Sequence, residues 1–290
     1  MKTKRFYFTA LLLSLALLLG GCIHPDETPP AGTGNAEVPT LPEMPELEHF
    51  YDDAVYTYQS NVNEEILMTG LSKAYLVLAN KTYVLGEDYV PEELVTLTCR
   101  TTYPMKLESR AAEALYEMMD EMTAAGITNT LVTSAYRSYA RQVELFNGYL
   151  QHEQSTISEE AYEYFDSEYL FQNYLSQGKT KLSVADARKV VLSYSAEPGT
   201  SEHQTGLCID FITEEMAGNL NTDFENYKVF TWLSENAYQF GFILRYPKGK
   251  EGITGYTYEP WHYRFVGREV ATDIHYSGLT LEEYLGAVQG

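Results

Sequence analysis

A histidine and an aspartate stand seven residues apart in the stretch TSEHQTGLCIDF, residues 200–211. Gly206 between them interrupts any helix, and the residues after it have the β-branched and aromatic character of a strand. We therefore expect His203 on the approach to a strand and Asp210 on the strand itself. Both side chains are of zinc-ligand type, and a catalytic zinc ion takes three protein ligands and keeps a fourth position for water. The pattern predicts a metal site that requires a third ligand.

That third ligand is expected at His262, in the stretch YEPWHYRFVG, residues 258–267. A single histidine is more often a structural or exposed residue than a ligand. Here three ligand-type residues fall in two locally unusual stretches, which reverses that expectation. The remaining histidines do not stand in a comparable context: His24, His49, His152 and His275.

Hydrolysis at such a site also needs a general base, and Glu259 precedes His262 by three residues. Residues three apart on a flat strand face opposite sides, so these two side chains converge only if the chain bends between them. Pro260 predicts such a bend. The alternative is that Glu259 is one of many surface acids, since the chain has 41 acidic residues.

Three stretches together resemble the zinc D-alanyl-D-alanine carboxypeptidases of the VanY type, which have the hedgehog-like fold of the LAS metallopeptidases. They are SAYRSYARQ, GTSEHQTGLCIDF and YEPWHYRFVG, in that order, and LVLANKTY upstream also matches. The resemblance implies zinc as the cofactor, with His203, Asp210 and His262 as its ligands. It also implies Glu259 as the catalytic acid and base.

The resemblance extends to residues around the substrate. It places Arg137 at the arginine of the YRS motif, where it would stabilise the oxyanion or bind the terminal carboxylate of the substrate. Gln142 and Ser201 fall at family positions near the substrate. Trp261 is a further candidate for substrate contact because it adjoins His262, although packing of the site wall would explain it equally well.

One position departs from the family pattern, because Cys208 stands where the family usually has alanine. A thiolate could bind zinc in place of Asp210, or the cysteine could be a small buried residue without a role at the metal. The passive interpretation is favoured. Cys99 could pair with Cys208 in an exported protein, but the place of Cys208 beside the metal motif argues against a disulfide.

The activity implied is removal of the C-terminal D-alanine from peptidoglycan stem peptides, by cleavage of the D-Ala-D-Ala bond. Two alternatives stay open: an L,D-carboxypeptidase that acts on tetrapeptide stems, and a non-catalytic, lipid-anchored module that binds the cell wall. Glu259 and Arg137 argue against the second alternative, because a structural zinc site needs no base.

The helices and strands that are expected to carry these residues indicate an α+β fold, in which a small antiparallel sheet carries the zinc site and is flanked by helices. Strands are expected within residues 74–85, as a pair, and within 129–136, 207–211 and 242–246. Helices are expected over 107–125 and 138–151, in an inserted pair at about 155–196, from Thr222 to Gly241, and near the C-terminus. The catalytic domain should occupy residues 51–290.

The N-terminal region has the character of an export and anchoring segment. Residues 1–21 combine a basic start with an apolar run, as in a signal peptide, and LGGC at 19–22 resembles a lipobox that ends in Cys22. Residues 22–50 are rich in proline and acid and predict a disordered tether. We expect an extracytoplasmic protein anchored to the bacterial cell membrane through lipid. The net charge of −21 argues against nucleic-acid partners.

Overall fold

The computed structural model describes residues 73–155 and 182–286. Its helices and strands are, in chain order, β1 (Leu94–Thr96), β2 (Lys106–Glu108), α1 (Ser109–Ala124), β3 (Thr130–Ser134), α2 (Tyr139–Ser155), α3 (Val184–Tyr194), β4 (Cys208–Thr213), α4 (Lys228–Asn236), β5 (Phe242–Leu244), α5 (Glu251–Thr254), β6 (His262–Phe265), α6 (Arg268–Ser277) and α7 (Leu281–Tyr284). The signal segment, Cys22, the tether and residues 156–181 of the expected insertion lie outside the described residues.

A four-stranded antiparallel sheet forms the centre of the molecule, with strand order β3-β4-β6-β5. Strand β4 is central, and residues 207–211 alternate between two environments. Leu207, Ile209 and Phe211 belong to the main hydrophobic core, whereas Cys208 and Asp210 point to the opposite face. That opposite face carries the predicted metal site. The α+β prediction with a small antiparallel sheet is confirmed.

Helix α1 covers the core side of the sheet. The Glu108 carboxylate accepts hydrogen bonds from the first free backbone amides of the helix, those of Arg110 and Ala111, at 3.0 Å each. Leu115, Met118 and Met122 are buried at helical spacing. The predicted helix over 107–125 is therefore confirmed within two residues, with its apolar stripe in the core.

The predicted pair of strands within residues 74–85 is wrong. A short 3-10 turn occupies Lys73–Leu76, and the Asn80 side chain accepts the amides of Thr82 and Tyr83 at 2.9 Å each, which closes a side-chain turn. The carbonyls of Tyr75 and Val77 accept hydrogen bonds from the Arg264 guanidinium at 2.9 and 2.8 Å. Backbone groups that bind side chains in this way do not form a ladder with a neighbouring strand.

The helix expected between Thr222 and Gly241 is divided. Asn221, not Thr222, caps a 3-10 turn over Thr222–Asn226, and α4 then begins at Lys228. A second 3-10 turn follows and ends at Gly241, whose φ of +80° is the left-handed region that favours glycine. The C-terminal prediction is confirmed, since Thr280 and Glu283 form a reciprocal capping box at the start of α7.

Of the expected inserted helical pair, α3 is described, and Ser183 caps it by accepting the amide of Asp186 at 3.1 Å. Within the described ranges, none of the helices is both long and apolar enough to cross a membrane.

Candidate metal centre

The sheet and one turn bring the three predicted ligands together. His203 lies in a 3-10 turn over Glu202–Thr205, and Gly206 ends that turn with a φ of +67° before the chain enters β4. Asp210 lies on β4 directly opposite His262 on β6. Asp210 and His262 are 52 positions apart in the sequence, and the pairing register of β4 and β6 brings them next to each other. All three side chains are buried.

The Asp210 carboxylate contacts both imidazoles. Its Oδ2 lies 3.2 Å from Nε2 of His203, and its Oδ1 lies 2.9 Å from Nδ1 of His262. The two imidazole rings are nearly perpendicular, at 84°, with centroids 5.2 Å apart. Ligand atoms that share a tetrahedral zinc ion at about 2.0–2.1 Å are separated by about 3.3 Å. The observed contacts match that spacing.

The outer nitrogen of each imidazole is held by an acceptor, which selects the nitrogen that faces inward. Nδ1 of His203 donates to the Ala135 carbonyl at 2.7 Å, so its Nε2 faces Asp210 with a lone pair. Nε2 of His262 lies 3.3 Å from the Glu202 carboxylate, so its Nδ1 faces inward. These tautomers are the ones that metal-ligating histidines require.

One buried atom supports a metal at this place. Asp210 Oδ1 accepts no geometrically sound hydrogen bond among the described residues, although His262 Nδ1 is only 2.9 Å away. With His262 in the tautomer that places its proton on Nε2, Nδ1 and Oδ1 are both acceptors, and a cation bound between them would satisfy both. The donor set of two imidazoles and one carboxylate suits zinc.

Glu259 lies beside the predicted ligands. Its carbonyl accepts the amide of His262 at 3.2 Å in a tight turn that contains Pro260, and its Oε2 is 3.7 Å from Nδ1 of His262. Its side chain is 19% exposed against 4% for His262, so it borders solvent while the ligand does not. Burial raises the pKa of Glu259 to about 7, despite the opposing effect of His262. A carboxyl with a pKa near neutrality suits a group that both accepts and donates a proton.

Arg137 follows β3 at the edge of the site. Its amide donates to the His203 carbonyl at 3.0 Å, and its Nη2 lies 3.4 Å from the Ser201 hydroxyl. Its buried Nε has no hydrogen-bond partner among the described residues. The guanidinium is therefore available to an anionic group of a substrate, and the predicted roles of Arg137 and Ser201 stay predictions.

The other two predicted substrate residues have structural partners. Gln142 is 1% exposed and donates from its Nε2 to the Ala196 carbonyl at 2.6 Å, which ties α2 to the segment before the His203 turn. Trp261 is half-buried and packs against the main hydrophobic core. Both contacts are of the wall-packing kind, and a role in substrate binding stays a prediction for each.

A buried ion network behind His262 was missed at the sequence level. Glu202 accepts hydrogen bonds from Arg245 at 2.8 Å and from Arg264, and Arg245 also binds Glu282 at 2.6 and 2.8 Å. The two guanidiniums lower the pKa of Glu202 well below its ordinary value, against the effect of burial. Since its members lie far apart in sequence, the available signal was only that Glu202 adjoins the ligand His203.

The cysteines are free in the described residues, as expected. Cys99 is half-buried and lies against the hydrophobic core. Cys208, in contrast, has its Sγ in one cluster with ligand nitrogens of His203 and His262, all within 4.8 Å of one another. The structure thus brings into the site a residue for which the passive interpretation was favoured.

Comparison with known proteins agrees with this geometry. The family model described as "VanY: D-alanyl-D-alanine carboxypeptidase" matches residues 104–268. YodJ of Bacillus subtilis (strain 168) is 36% identical over 219 residues, which cover 74% of this chain and 68% of YodJ. A D-alanyl-D-alanine carboxypeptidase of Enterococcus faecalis (strain ATCC 700802 / V583) is 36% identical over 180 residues, which cover 62% of this chain and 56% of that enzyme.

Solved structures with the same fold include two kinds of carboxypeptidase. The LD-carboxypeptidase LdcB has a TM-score of 0.57 at 34% identity, over 73% of this chain and 86% of LdcB. A VanY D,D-pentapeptidase from a VanB-type vancomycin resistance cassette, in complex with Zn(II), has a TM-score of 0.54 at 32% identity, over 73% of this chain and 99% of that chain. The family match spans more than half of the sequence and includes every predicted metal ligand. The chain therefore belongs to the VanY family of D-alanyl-D-alanine carboxypeptidases.

Proposed function

We propose that this protein is a zinc-dependent carboxypeptidase that removes the C-terminal D-alanine from peptidoglycan stem peptides ending in D-Ala-D-Ala. The observation that carries the proposal is the buried cluster of His203, Asp210 and His262, with Glu259 at its solvent edge. A VanY relative of the same fold binds D-Ala-D-Ala, which supports this substrate. Membership of the family supports the reaction.

Zinc, when bound by His203, Asp210 and His262, supplies Lewis-acid chemistry, because it lowers the pKa of water and polarises a carbonyl. Glu259 accepts a proton from the attacking water and then delivers it to the amine of the departing D-alanine. Burial raises the pKa of Glu259, which favours a carboxyl that exchanges a proton near neutral pH. The Arg137 guanidinium binds the terminal carboxylate of the substrate and orients the scissile bond. Glu202 holds the orientation of the His262 ring.

The test is hydrolysis of stem peptides by the purified, zinc-loaded full-length protein, with products identified by mass spectrometry. Loss of one alanine from the pentapeptide is expected. Glu259→Gln should reduce the rate by about 10²-fold or more, because proton transfer contributes about 10²–10⁴-fold. Glu251→Gln is the matched control, since Glu251 is exposed on α5 and has no contact with the metal ligands.

Three outcomes would contradict parts of this proposal. Full activity of Glu259→Gln with normal zinc content would show that Glu259 is not the base. Zinc binding without release of alanine from any stem peptide would favour the non-catalytic binding module. Loss of alanine from the tetrapeptide alone would assign the L,D activity instead, which the likeness to LdcB keeps as the second candidate.

We also propose that the mature protein is anchored outside the cytoplasm through lipid on Cys22. The lipobox-like LGGC after a basic and apolar start supports this, since two or more acyl chains hold a protein on a membrane without a spanning helix. The wild type should fractionate with membranes in its bacterial host, and Cys22→Ser should not. An equal distribution of both proteins between the membrane and soluble fractions would contradict the anchor.

A further inference from the structure

Cys208 occupies the metal-facing side of the central strand. Its neighbours Leu207 and Ile209 point into the main hydrophobic core, and Cys208 does not belong to that core. Cys208 instead shares its strand face with Asp210, two residues away. Apolar packing, the usual reason for a buried cysteine, therefore does not account for the direction of this side chain.

The thiol is directed at the two imidazoles. Sγ of Cys208 and one ring nitrogen each of His203 and His262 lie within 4.8 Å of one another. Cys208 is fully buried and free of any disulfide. The sulfur is thus a donor-type atom grouped with two of the three predicted ligands, and the third, Asp210, lies on the same face of the strand.

We propose that Cys208 is a fourth protein donor to the metal ion held by His203, Asp210 and His262. The donor set of this chain then includes sulfur, which strengthens its affinity for thiophilic ions such as Cd²⁺. A catalytic zinc ion can expand to five ligands, so a fourth protein donor is compatible with hydrolysis. The inference rests on the proposed function only in that both require a bound metal.

The test is spectroscopic titration of the metal-free, full-length protein with Co²⁺. The wild type should develop a near-ultraviolet sulfur-to-cobalt charge-transfer band that saturates at one equivalent. Cys99→Ala is the matched control and should keep the band, because Cys99 lies against the hydrophobic core, away from the metal cluster. Cys208→Ala and Cys208→Ser should lose the band.

The visible cobalt bands serve as the internal check, since their persistence in the variants shows that folding and the other three ligands are intact. Retention of the charge-transfer band in Cys208→Ala would overturn the proposal, as would its absence from a wild type that shows the visible bands. In competition experiments, Cys208→Ser should lose more affinity for Cd²⁺ than for Zn²⁺, and equal losses would contradict a bound thiolate.

Peptide hydrolysis by the zinc-loaded wild type, measured in parallel, separates this inference from the proposed function. A charge-transfer band without hydrolysis would contradict the carboxypeptidase assignment and leave the Cys208 ligand in place. Hydrolysis without the band would contradict the Cys208 ligand and leave the carboxypeptidase assignment in place.

Discussion

Replacing Glu202 with glutamine should be among the most destabilising single-atom changes in this protein. The substitution keeps the shape of the side chain and removes its charge. In the wild type one carboxylate oxygen accepts hydrogen bonds from Arg245 and Arg264, and the other faces Nε2 of His262. The side chains of Glu202, Arg245 and Arg264 are fully buried.

The magnitude follows from the charge that is left behind. Arg245 would keep Glu282, which binds it through two hydrogen bonds of 2.8 and 2.6 Å. Arg264 would keep neutral acceptors, such as the backbone carbonyls of Tyr75, Val77 and Phe265, but no carboxylate among the described residues. Removing one partner of a buried ion pair costs about 3–5 kcal/mol, because the other charge is left without compensation. The free energy of unfolding should fall by about this amount.

The assay is urea unfolding of the metal-free, full-length protein at pH 7. With an m-value of about 1–3 kcal/mol/M, a loss of 3 kcal/mol lowers the unfolding midpoint by about 1 M or more. Glu214→Gln is the control, because the Arg100–Glu214 pair has a short contact of 2.5 Å but side chains that are 49% and 57% exposed. That substitution should cost less than about 1 kcal/mol. A Glu202→Gln effect no larger than the Glu214→Gln effect would refute the reasoning.

The same variant has a defined pH dependence. Burial raises the pKa of Glu202, but Arg245 and Arg264 lower it to well below its ordinary value of 4.5. A carboxyl whose pKa is depressed on folding stabilises fully above its unfolded pKa, and this contribution is lost as the pH falls toward the folded value. The difference in unfolding free energy between the wild type and Glu202→Gln should therefore be constant from pH 7 to about pH 5 and shrink at lower pH.

Three further predictions concern the turn, the substrate cation and the second cysteine. Gly206→Ala should lower the free energy of unfolding by about 1–3 kcal/mol, because φ is +67° and a Cβ would lie 3.0 Å from Pro91. Gly218→Ala is the control in the same urea assay and should cost less, because its φ of +86° is similar but a Cβ there would meet open space. Arg137→Lys should reduce kcat/KM for the pentapeptide by about 10²–10³-fold. If the guanidinium binds the C-terminal carboxylate of the peptide, amidation of that carboxylate should cause little further loss of kcat/KM in the variant. Burial raises the pKa of Cys99 to about 11. In the Cys208→Ala variant, alkylation of Cys99 at pH 8 should therefore be about 100-fold slower than that of a thiol with the ordinary pKa of 9.0. An ordinary alkylation rate of Cys99, measured by mass spectrometry, would contradict this.

The elements that the sequence predicted well are those governed by neighbouring residues. Helix α1 was expected because its apolar residues recur at helical spacing, and the Thr280–Glu283 capping box because its two partners are three residues apart. The 74–85 strands failed for the opposite reason. Their apolar pattern is typical of strands, but the backbone carbonyls bind Arg264, nearly two hundred positions away.

For the site, the sequence by itself determined which chemistry is available. Two histidines and an aspartate in locally unusual stretches, Glu259 three residues before His262, and the bend at Pro260 were all evident from residue type and spacing. Tertiary structure alone decided how those groups meet. The register of β4 against β6 sets Asp210 opposite His262, and the buried Glu202–Arg264 pair fixes the ring behind it. Strand register and buried ion pairs depend on partners distant in sequence, and local spacing carries no information about such partners.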